Sequence, residues 1–380
     1  MLHTLGMDFM ERALDLADQV AGGVAPRPPV GAVIVASDGK SVVGEGATEP
    51  HPGHHAEAMA LAQAGEAARG GTIYCTLEPH QHFATTPPCS RAIIDAGIKR
   101  VVCPTVDPNP EVAGRGFEEL TTAGIEVVRD VDEMAQRRAD ELVEGFAKLL
   151  KTGSPFVTAK WAMSLDGKIA TRDRDSRWIT GEAARSHAHS LRYRSDAVMT
   201  GIGTVLADDP RLTARDPNTG ERVGNRPCLR VVVDSHGRIP ANAALLAEAG
   251  EVMQVVATES PDSDRCEVIR IADAGEDAVD LAALLRHLGE LGCHNVLVEA
   301  GEKLNGALFD MKLVDKVVAY ISTSKVIGGE AALSPIGGSG SRWMRDTVNL
   351  KNTHVEFWGD DIAVIGYVDH RAEREICSAG

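Results

Sequence analysis

The chain has 380 residues, too many for one ordinary hydrophobic core, so two domains are expected. Hydrophobic residues make up 43%, yet no run approaches the roughly 18 apolar residues of a spanning helix, which points to a soluble globular protein rather than a membrane protein. A net charge of −16 argues against non-specific nucleic-acid binding, while leaving room for a phosphorylated small molecule in a locally basic pocket.

In chain order, Phe9, Ala13, Leu16 and Val20 are spaced like one face of a helix, and no basic stretch precedes them as in a secretion signal. Val30 to Val35 reads as a buried strand, turned by Asp38-Gly39 into a second strand near Val42-Val43. Helices are expected at His55–Ala64, Cys89–Ala96 and Phe117–Ala123, and strands at Thr72–Thr76, Arg100–Cys103 and Ile125–Val128. Such alternation implies a mostly parallel sheet with helices on its faces and catalytic loops at the carboxyl ends of the strands. A long charged helix over 131–151 ends at Gly153-Ser154-Pro155, which predicts domains at 1–150 and 151–380. In the second domain, strands are expected at Phe156–Met163, Ala197–Thr200, Leu229–Val233, Val296–Glu299 and Val317–Ile321. The glycine- and serine-rich stretch 337–341 reads as a mobile loop and the last ten residues as frayed. From 311 onward, mainly structural strands and a self-association surface are expected. The seven cysteines (75, 89, 103, 228, 266, 293, 377) are scattered and odd in number, as in a reducing cytoplasm.

One constellation carries metal chemistry. His51, His54, His55, His80 and His82 crowd together with Glu57, Glu78 and Cys89. His55-Ala56-Glu57 opens one helix, and Cys89 opens another after Pro87-Pro88; two helix N-termini favour a thiolate. Three nitrogen or sulfur ligands with one open position is the catalytic zinc layout, in which the metal lowers the pKa of water to about 7. Glu57, two residues from a ligand, is placed to shuttle the proton. His-x-Glu is part of the zinc-deaminase pattern, although the gap from His80 to Cys89 is longer than the two residues usual there. A closed structural site with His82 as fourth ligand is the alternative.

Pro26-Arg27-Pro28-Pro29-Val30-Gly31, His55-Ala56-Glu57, Thr76-Leu77-Glu78-Pro79 and Thr86-Pro87-Pro88-Cys89 resemble the amino-terminal half of the bifunctional deaminase/reductase family of riboflavin biosynthesis. Asp107-Pro108-Asn109-Pro110 and Val112-Ala113-Gly114-Arg115-Gly116 extend the resemblance. It implies a cytidine-deaminase-like three-layer domain, zinc on His55, His80 and Cys89, and the proton shuttle at Glu57. Three departures stand out. His80 replaces a cysteine, Arg27 replaces an asparagine that holds the pyrimidine, and Phe83-Ala84-Thr85 replaces a His-Gly-Arg-like segment. Histidine is a competent zinc ligand, and exchanging a thiolate for a neutral imidazole makes the site one charge more positive.

In the second half, Gly201-x-Gly203-Thr204 and Glu299-Ala300-Gly301 are turns whose backbone N–H groups could cradle phosphate; ordinary strand-to-helix turns are the alternative. The G-x-G-x-x-G dinucleotide fingerprint is missing. The segments 156–168, 176–181, 201–215, 233–235 and 298–301 resemble the reductase half of the same family, a dihydrofolate-reductase-like α/β domain that uses NADPH. The resemblance implies cofactor contacts at Ala162, Trp178, Thr204, Asp208, Ser235, Gly301, Glu302, Lys303, Leu304, Asn305, Gly306 and Ala307. It implies substrate contacts at Ser176, Arg192, Leu212, Arg215 and Glu299. Arg192 and Arg215 suit a phosphate grip. Lys160, Asp208 and Glu299 are the candidate proton-handling trio while the nicotinamide supplies hydride.

The expectation is therefore a two-step enzyme of riboflavin biosynthesis, homo-oligomeric and cytoplasmic. Zinc-dependent hydrolytic deamination of 2,5-diamino-6-ribosylamino-4(3H)-pyrimidinone 5′-phosphate precedes NADPH reduction of the ribosyl to the ribityl side chain. The alternatives are a reductase whose first domain is a zinc-stabilised structural or dimerisation module, and a deaminase for another amino-substituted heterocycle, permitted by Arg27 and the 83–85 segment.

Overall fold

The computed structural model describes residues 9–81, 88–216, 219, 221, 228–259, 263–273, 275 and 277–370. His82, the 83–85 segment and the last ten residues lie outside them. Backbone contacts divide the chain into two compact units, Met1–Gly153 and Ser154–Gly380.

The first unit runs α1 (Phe9–Val20), β1 (Gly31–Val35), β2 (Val42–Ala47), α2 (Ala56–Ala64), β3 (Thr72–Cys75), α3 (Cys89–Asp95), β4 (Arg100–Val102), α4 (Arg115–Thr122), β5 (Glu126–Val128) and α5 (Glu133–Thr152). Its sheet has the order β2-β1-β3-β4-β5. β1 is antiparallel to both neighbours, and β3, β4 and β5 are parallel. The β1–β2 hairpin closes where Asp38 Oδ1 accepts the N–H groups of Lys40 and Ser41 and Gly39 takes a φ of +71°. Only glycine adopts that backbone without strain.

Period-two alternation sorts the strands into two faces. Val33 and Val35 meet Ala13 of α1, and Tyr74 and Val102 lie under α1 and α5. Ala32, Ile34, Ile73, Cys75 and Val101 face α2, α3 and α4. The result is a three-layer α/β/α unit. On the second face, α2 lays Ala56, Ala60 and Ala64, spaced four apart, against glycines of β2. A Cβ on Gly46 would fall 2.2 Å from the Ala56 carbonyl oxygen, so backbone packs on backbone and fixes the start of α2. α5 is capped by Asp132, whose side chain accepts from Met134 and Ala135, and ends at Gly153 with φ +71°. Arg138 on α5 pairs with Glu11, Asp15 and Asp18 of α1, binding the two helices of that layer together.

The second unit holds β6 (Phe156–Met163), α6 (Glu182–Tyr193), β7 (Ala197–Gly201), α7 (Ile202–Asp208), β8 (Leu229–Val233), α8 (Ala244–Ala247), β9 (Val252–Val256), β10 (Glu267–Arg270), α9 (Leu281–Glu290), β11 (Asn295–Val298), α10 (Glu302–Asp310), β12 (Lys316–Ile321), β13 (Leu350–Trp358) and β14 (Asp361–Val368). Its nine strands have the order β10-β9-β8-β7-β11-β6-β12-β14-β13. All are parallel except β14, which is antiparallel to β12 and β13. Val157, Ala159 and Trp161 of β6 pack toward α9 and α10, through Leu284, Leu288, Leu304 and Leu308. Ala184, Ala188 and Leu191 of α6 cover the opposite face with Ala162, Val318 and Tyr320.

The 337–341 stretch departs from its reading as a mobile loop. Gly337 N–H donates to Glu302 O at 2.9 Å and Ser339 N–H to Asp310 Oδ2 at 2.8 Å. It packs on α10 so tightly that a Cβ on Gly306 would fall 2.5 Å from the Gly337 carbonyl carbon. Composition signalled a loose loop; the missing side chains on both partners are what lets the two backbones dock.

Candidate active sites

In the first unit, His55 is the residue preceding α2 and Cys89 is the first residue of α3, so two helix starts converge. His80, five residues past β3, completes the group. One donor atom each from His55, His80 and Cys89 lies within 4.8 Å of the others, and Cys89 Sγ is 3.7 Å from His55 Nδ1. The two imidazole rings are 4.6 Å apart. The His80 carbonyl is held by Ser90, whose N–H donates to it at 3.2 Å while the Ser90 hydroxyl donates to Glu119 at 2.5 Å. Arg27 Nη1 donates to the Gly53 carbonyl at 2.6 Å, bracing the turn that leads into His55.

Glu57 is 4% exposed, and burial pushes its carboxyl up to about 7 despite hydrogen bonds from its own backbone N–H and from Cys89. Burial, together with the Glu57 carboxylate, pushes the Cys89 thiol well above its ordinary range. A buried thiol in that state becomes a thiolate only beside a cation, so two imidazoles, one thiol and an adjacent carboxyl form a donor set that fits a divalent metal. Cys89→Ser, which removes the one sulfur ligand, is expected to strip the metal; zinc content per chain measured after dialysis checks this.

The second unit has a cleft of about 680 Å³ at the carboxyl ends of its strands. Ten of the residues singled out from the sequence line it: Lys160, Ala162, Ser176, Trp178, Arg192, Thr204, Asp208, Leu212, Arg215 and Glu299. At its base, Lys160 Nζ donates to Glu299 Oε2 at 2.6 Å, and Arg192 donates through Nε to Oε1 at 2.5 Å and through Nη2 to Oε2 at 2.9 Å. Burial would raise the Glu299 carboxyl, but Arg192 and Lys160 outweigh it and hold the group well below the usual carboxylate range.

Two expectations change here. Arg192 is bidentate on Glu299, so a phosphate grip there would share it with that carboxylate. Asp208 stands apart from Lys160 and Glu299 in these contacts, accepting from Ser176 Oγ at 3.0 Å. The cleft lining is basic on balance, with six lysine or arginine side chains against four carboxylates.

Ser235 and residues 301–307 do not line this cleft. Gly201 ends β7 and precedes α7, and Gly301, three residues past the neighbouring β11, precedes α10. A Cβ on Gly301 would lie 3.9 Å from Thr204 Oγ1, and one on Gly201 would lie 3.7 Å from Leu304 Cβ, so the two helix starts sit side by side. Paired helix N-termini beside a cleft at the strand ends suit the diphosphate of a dinucleotide, which is the fit NADPH requires. Asn305 is fully buried and donates to the Ala300 and Pro335 carbonyls at 3.1 and 2.9 Å, and Gly306 is occupied in docking the 337–341 stretch. These two hold the turn rather than present side chains to a ligand.

Among the lining residues not anticipated, His189 and Tyr320 carry polar ring groups into the site. His189 Nδ1 lies 3.2 Å from the Arg215 N–H and 3.4 Å from Arg192 Nη1. The Thr213 carbonyl oxygen lies equally near Nδ1, at 3.2 Å, so the ring ties the 213–215 segment to α6. Burial and the Arg192 charge lower its pKa, keeping it neutral. Tyr320, on β12, lies 2.9 Å from His187 Nδ1. The pair His189 and Arg192, three apart on one helical face, is the one sequence signal that pointed to the first of these.

The model of the RibD C-terminal domain matches residues 155–364, and that of the cytidine and deoxycytidylate deaminase zinc-binding region matches 5–105. The riboflavin biosynthesis protein RibD of Actinobacillus pleuropneumoniae is 40% identical over 369 residues, covering 95% of each chain. The chain belongs to the RibD family of riboflavin biosynthesis. Escherichia coli RibD is 39% identical, over 85% of this chain and 89% of its own. A Thermotoga maritima structure, described as a diaminohydroxyphosphoribosylaminopyrimidine deaminase/5-amino-6-(5-phosphoribosylamino)uracil reductase, superimposes with a TM-score of 0.81 at 36% identity, covering 95% of this chain and 98% of that one. The first unit is thus a zinc-dependent, cytidine-deaminase-like domain and the second a RibD reductase domain that uses NADPH. Among the described residues no helix is long and apolar enough to cross a membrane.

Proposed function

We propose that the first unit deaminates 2,5-diamino-6-ribosylamino-4(3H)-pyrimidinone 5′-phosphate and the second reduces the ribosyl group of the product to ribityl. The observation that carries this reading is the His55, His80 and Cys89 cluster beside buried Glu57. Those three would hold zinc, which when bound supplies a Lewis acid that makes water nucleophilic near neutral pH. Glu57, buried beside the ligand cluster, takes a proton at its carboxylate and returns it to the departing amine. Arg27 meets the first unit's site through the 50–54 turn, so pyrimidine recognition there differs from an asparagine contact.

In the reductase, NADPH, when bound, supplies the hydride to C1′. Glu299, held ionised, serves only as an acceptor, so the proton that opens the sugar ring comes from Lys160 Nζ. Arg192 and Lys160 fix the Glu299 carboxylate, His189 fixes the 213–215 segment, and Arg177, Arg185, Arg211 and Arg215 line the cleft where the phosphate is received. Gly301 and Thr204 with the starts of α7 and α10 would hold the cofactor diphosphate, and Trp178, 61% exposed under the Arg185 guanidinium, would offer a face to its ring.

The same reading makes the protein a cytoplasmic homo-oligomer without nucleic-acid partners. β13 is the edge of its sheet and exposes Val355 and Phe357, the latter at 79%. Unpaired apolar edges are covered in stable proteins, and a second copy would extend the sheet. Phe357→Lys is expected to lower the mass seen by light scattering without loss of fold.

Ammonia release from the phosphorylated diaminopyrimidine in the absence of NADPH tests the deaminase assignment. Release that depends on zinc supports it. Full zinc occupancy without release would leave a reductase joined to a structural zinc domain.

A further inference from the structure

We propose that Glu78 is a positioning residue of the deaminase, its carboxylate fixing the 105–117 loop beside the metal-ligand cluster; this rests on the deaminase reading above. Glu78 lies three residues past β3 and two before His80, and it is 3% exposed. Its Oε2 accepts the N–H groups of Asp107 at 3.1 Å and Gly114 at 2.9 Å, and its Oε1 those of Gly116 at 2.9 Å and Phe117 at 3.3 Å. Its own N–H donates to the Thr105 carbonyl at 3.0 Å. One buried carboxylate therefore gathers four backbone donors from both ends of the segment joining β4 to α4.

Three of those donors belong to the start of α4, where the first N–H groups lack intrahelical acceptors and a negative charge opposes the helix dipole favourably. Contact reinforces charge. A Cβ on Gly116 would fall 2.0 Å from the Pro79 carbonyl oxygen, so the loop seats directly on the backbone leading to His80. At the other end of the loop, Asp107 lies near enough to Glu57 to act on its carboxyl electrostatically. Asp107 is itself set in a tight turn, its Oδ1 accepting the Asn109 N–H at 2.8 Å. Moving the Glu78 carboxylate would therefore move both ends of this loop, Asp107 included, while His55 and Cys89, carried by the starts of α2 and α3, keep their places.

Glu78→Gln separates positioning from simple support of the fold. The amide keeps one acceptor oxygen and turns an NH2 group toward two N–H donors, which then lack acceptors. In the full-length zinc-loaded protein, amides of 105–117 are expected to exchange about tenfold faster or more, the loss of a charge-assisted hydrogen bond, with α2 and β3 unchanged. KM for the diaminopyrimidine rises by a similar factor with a smaller fall in kcat, zinc content holds, and reductase constants do not move. Glu78→Asp, which keeps the charge but withdraws it by one methylene, recovers part of the loss. Unchanged exchange at 105–117, loosening of the whole first unit, or local loosening without a change in KM would each overturn the proposal. Absence of ammonia release from the unaltered chain would overturn the deaminase reading instead.

Discussion

Replacing Glu57 by Gln is expected to lower zinc-dependent ammonia release by roughly 10²- to 10⁴-fold, the usual worth of a positioned general acid–base. The substitution is nearly isosteric at a site only 4% exposed, so packing against α3 survives and the three metal ligands remain. What is lost is the ability to take a proton and give it back. Burial raises this carboxyl to about 7 in the metal-free site, which favours its holding a proton once it has taken one. Ammonia assayed alongside zinc content reads the two effects apart: zinc retained, release lost.

Glu299→Gln should have the larger structural effect. It leaves Lys160 and Arg192, both mostly buried, facing each other without the carboxylate that separates them. Breaking a buried ion pair by removing one partner costs about 3–5 kcal/mol, and here one carboxylate serves two cations. All four tryptophans (161, 178, 343, 358) lie in the second unit, so tryptophan fluorescence during urea unfolding follows that unit alone. The expected result is a lower midpoint for that transition and NADPH oxidation below detection. Lys160→Met should cost less stability, because Arg192 still answers Glu299 with two hydrogen bonds.

The zinc site was legible because its ligands sit at local punctuation. His55 and Cys89 each mark a helix start, and the spacing of those starts is visible without tertiary information. The second site was legible mainly as a set of residues, not as an arrangement. Lys160, Arg192 and Glu299 come from β6, α6 and the end of β11, and only the sheet order places β11 between β6 and β7. Nothing local to Arg192 says that its partner is Glu299 rather than phosphate. β9 and β10 were not anticipated, and β13 and β14 only as unplaced strands beyond 311, because short buried runs and an exposed edge strand lack the alternation that marks a half-buried strand. The 337–341 stretch failed for a different reason: its glycines serve close approach to α10, not freedom. Glu78 was visible as one acid near the histidines, but its four backbone partners lie 29 to 39 positions away.

The central claim is that one chain carries out deamination and then reduction at two separate sites. Glu57→Gln tests it most directly when NADPH oxidation is followed with each of two substrates. With the deaminated compound, 5-amino-6-(5-phosphoribosylamino)uracil, the variant should oxidise NADPH at the rate of the unaltered enzyme. With the diaminopyrimidine precursor it should oxidise almost none. Equal oxidation of NADPH with both substrates would contradict the account, because reduction would then not depend on the first unit's chemistry.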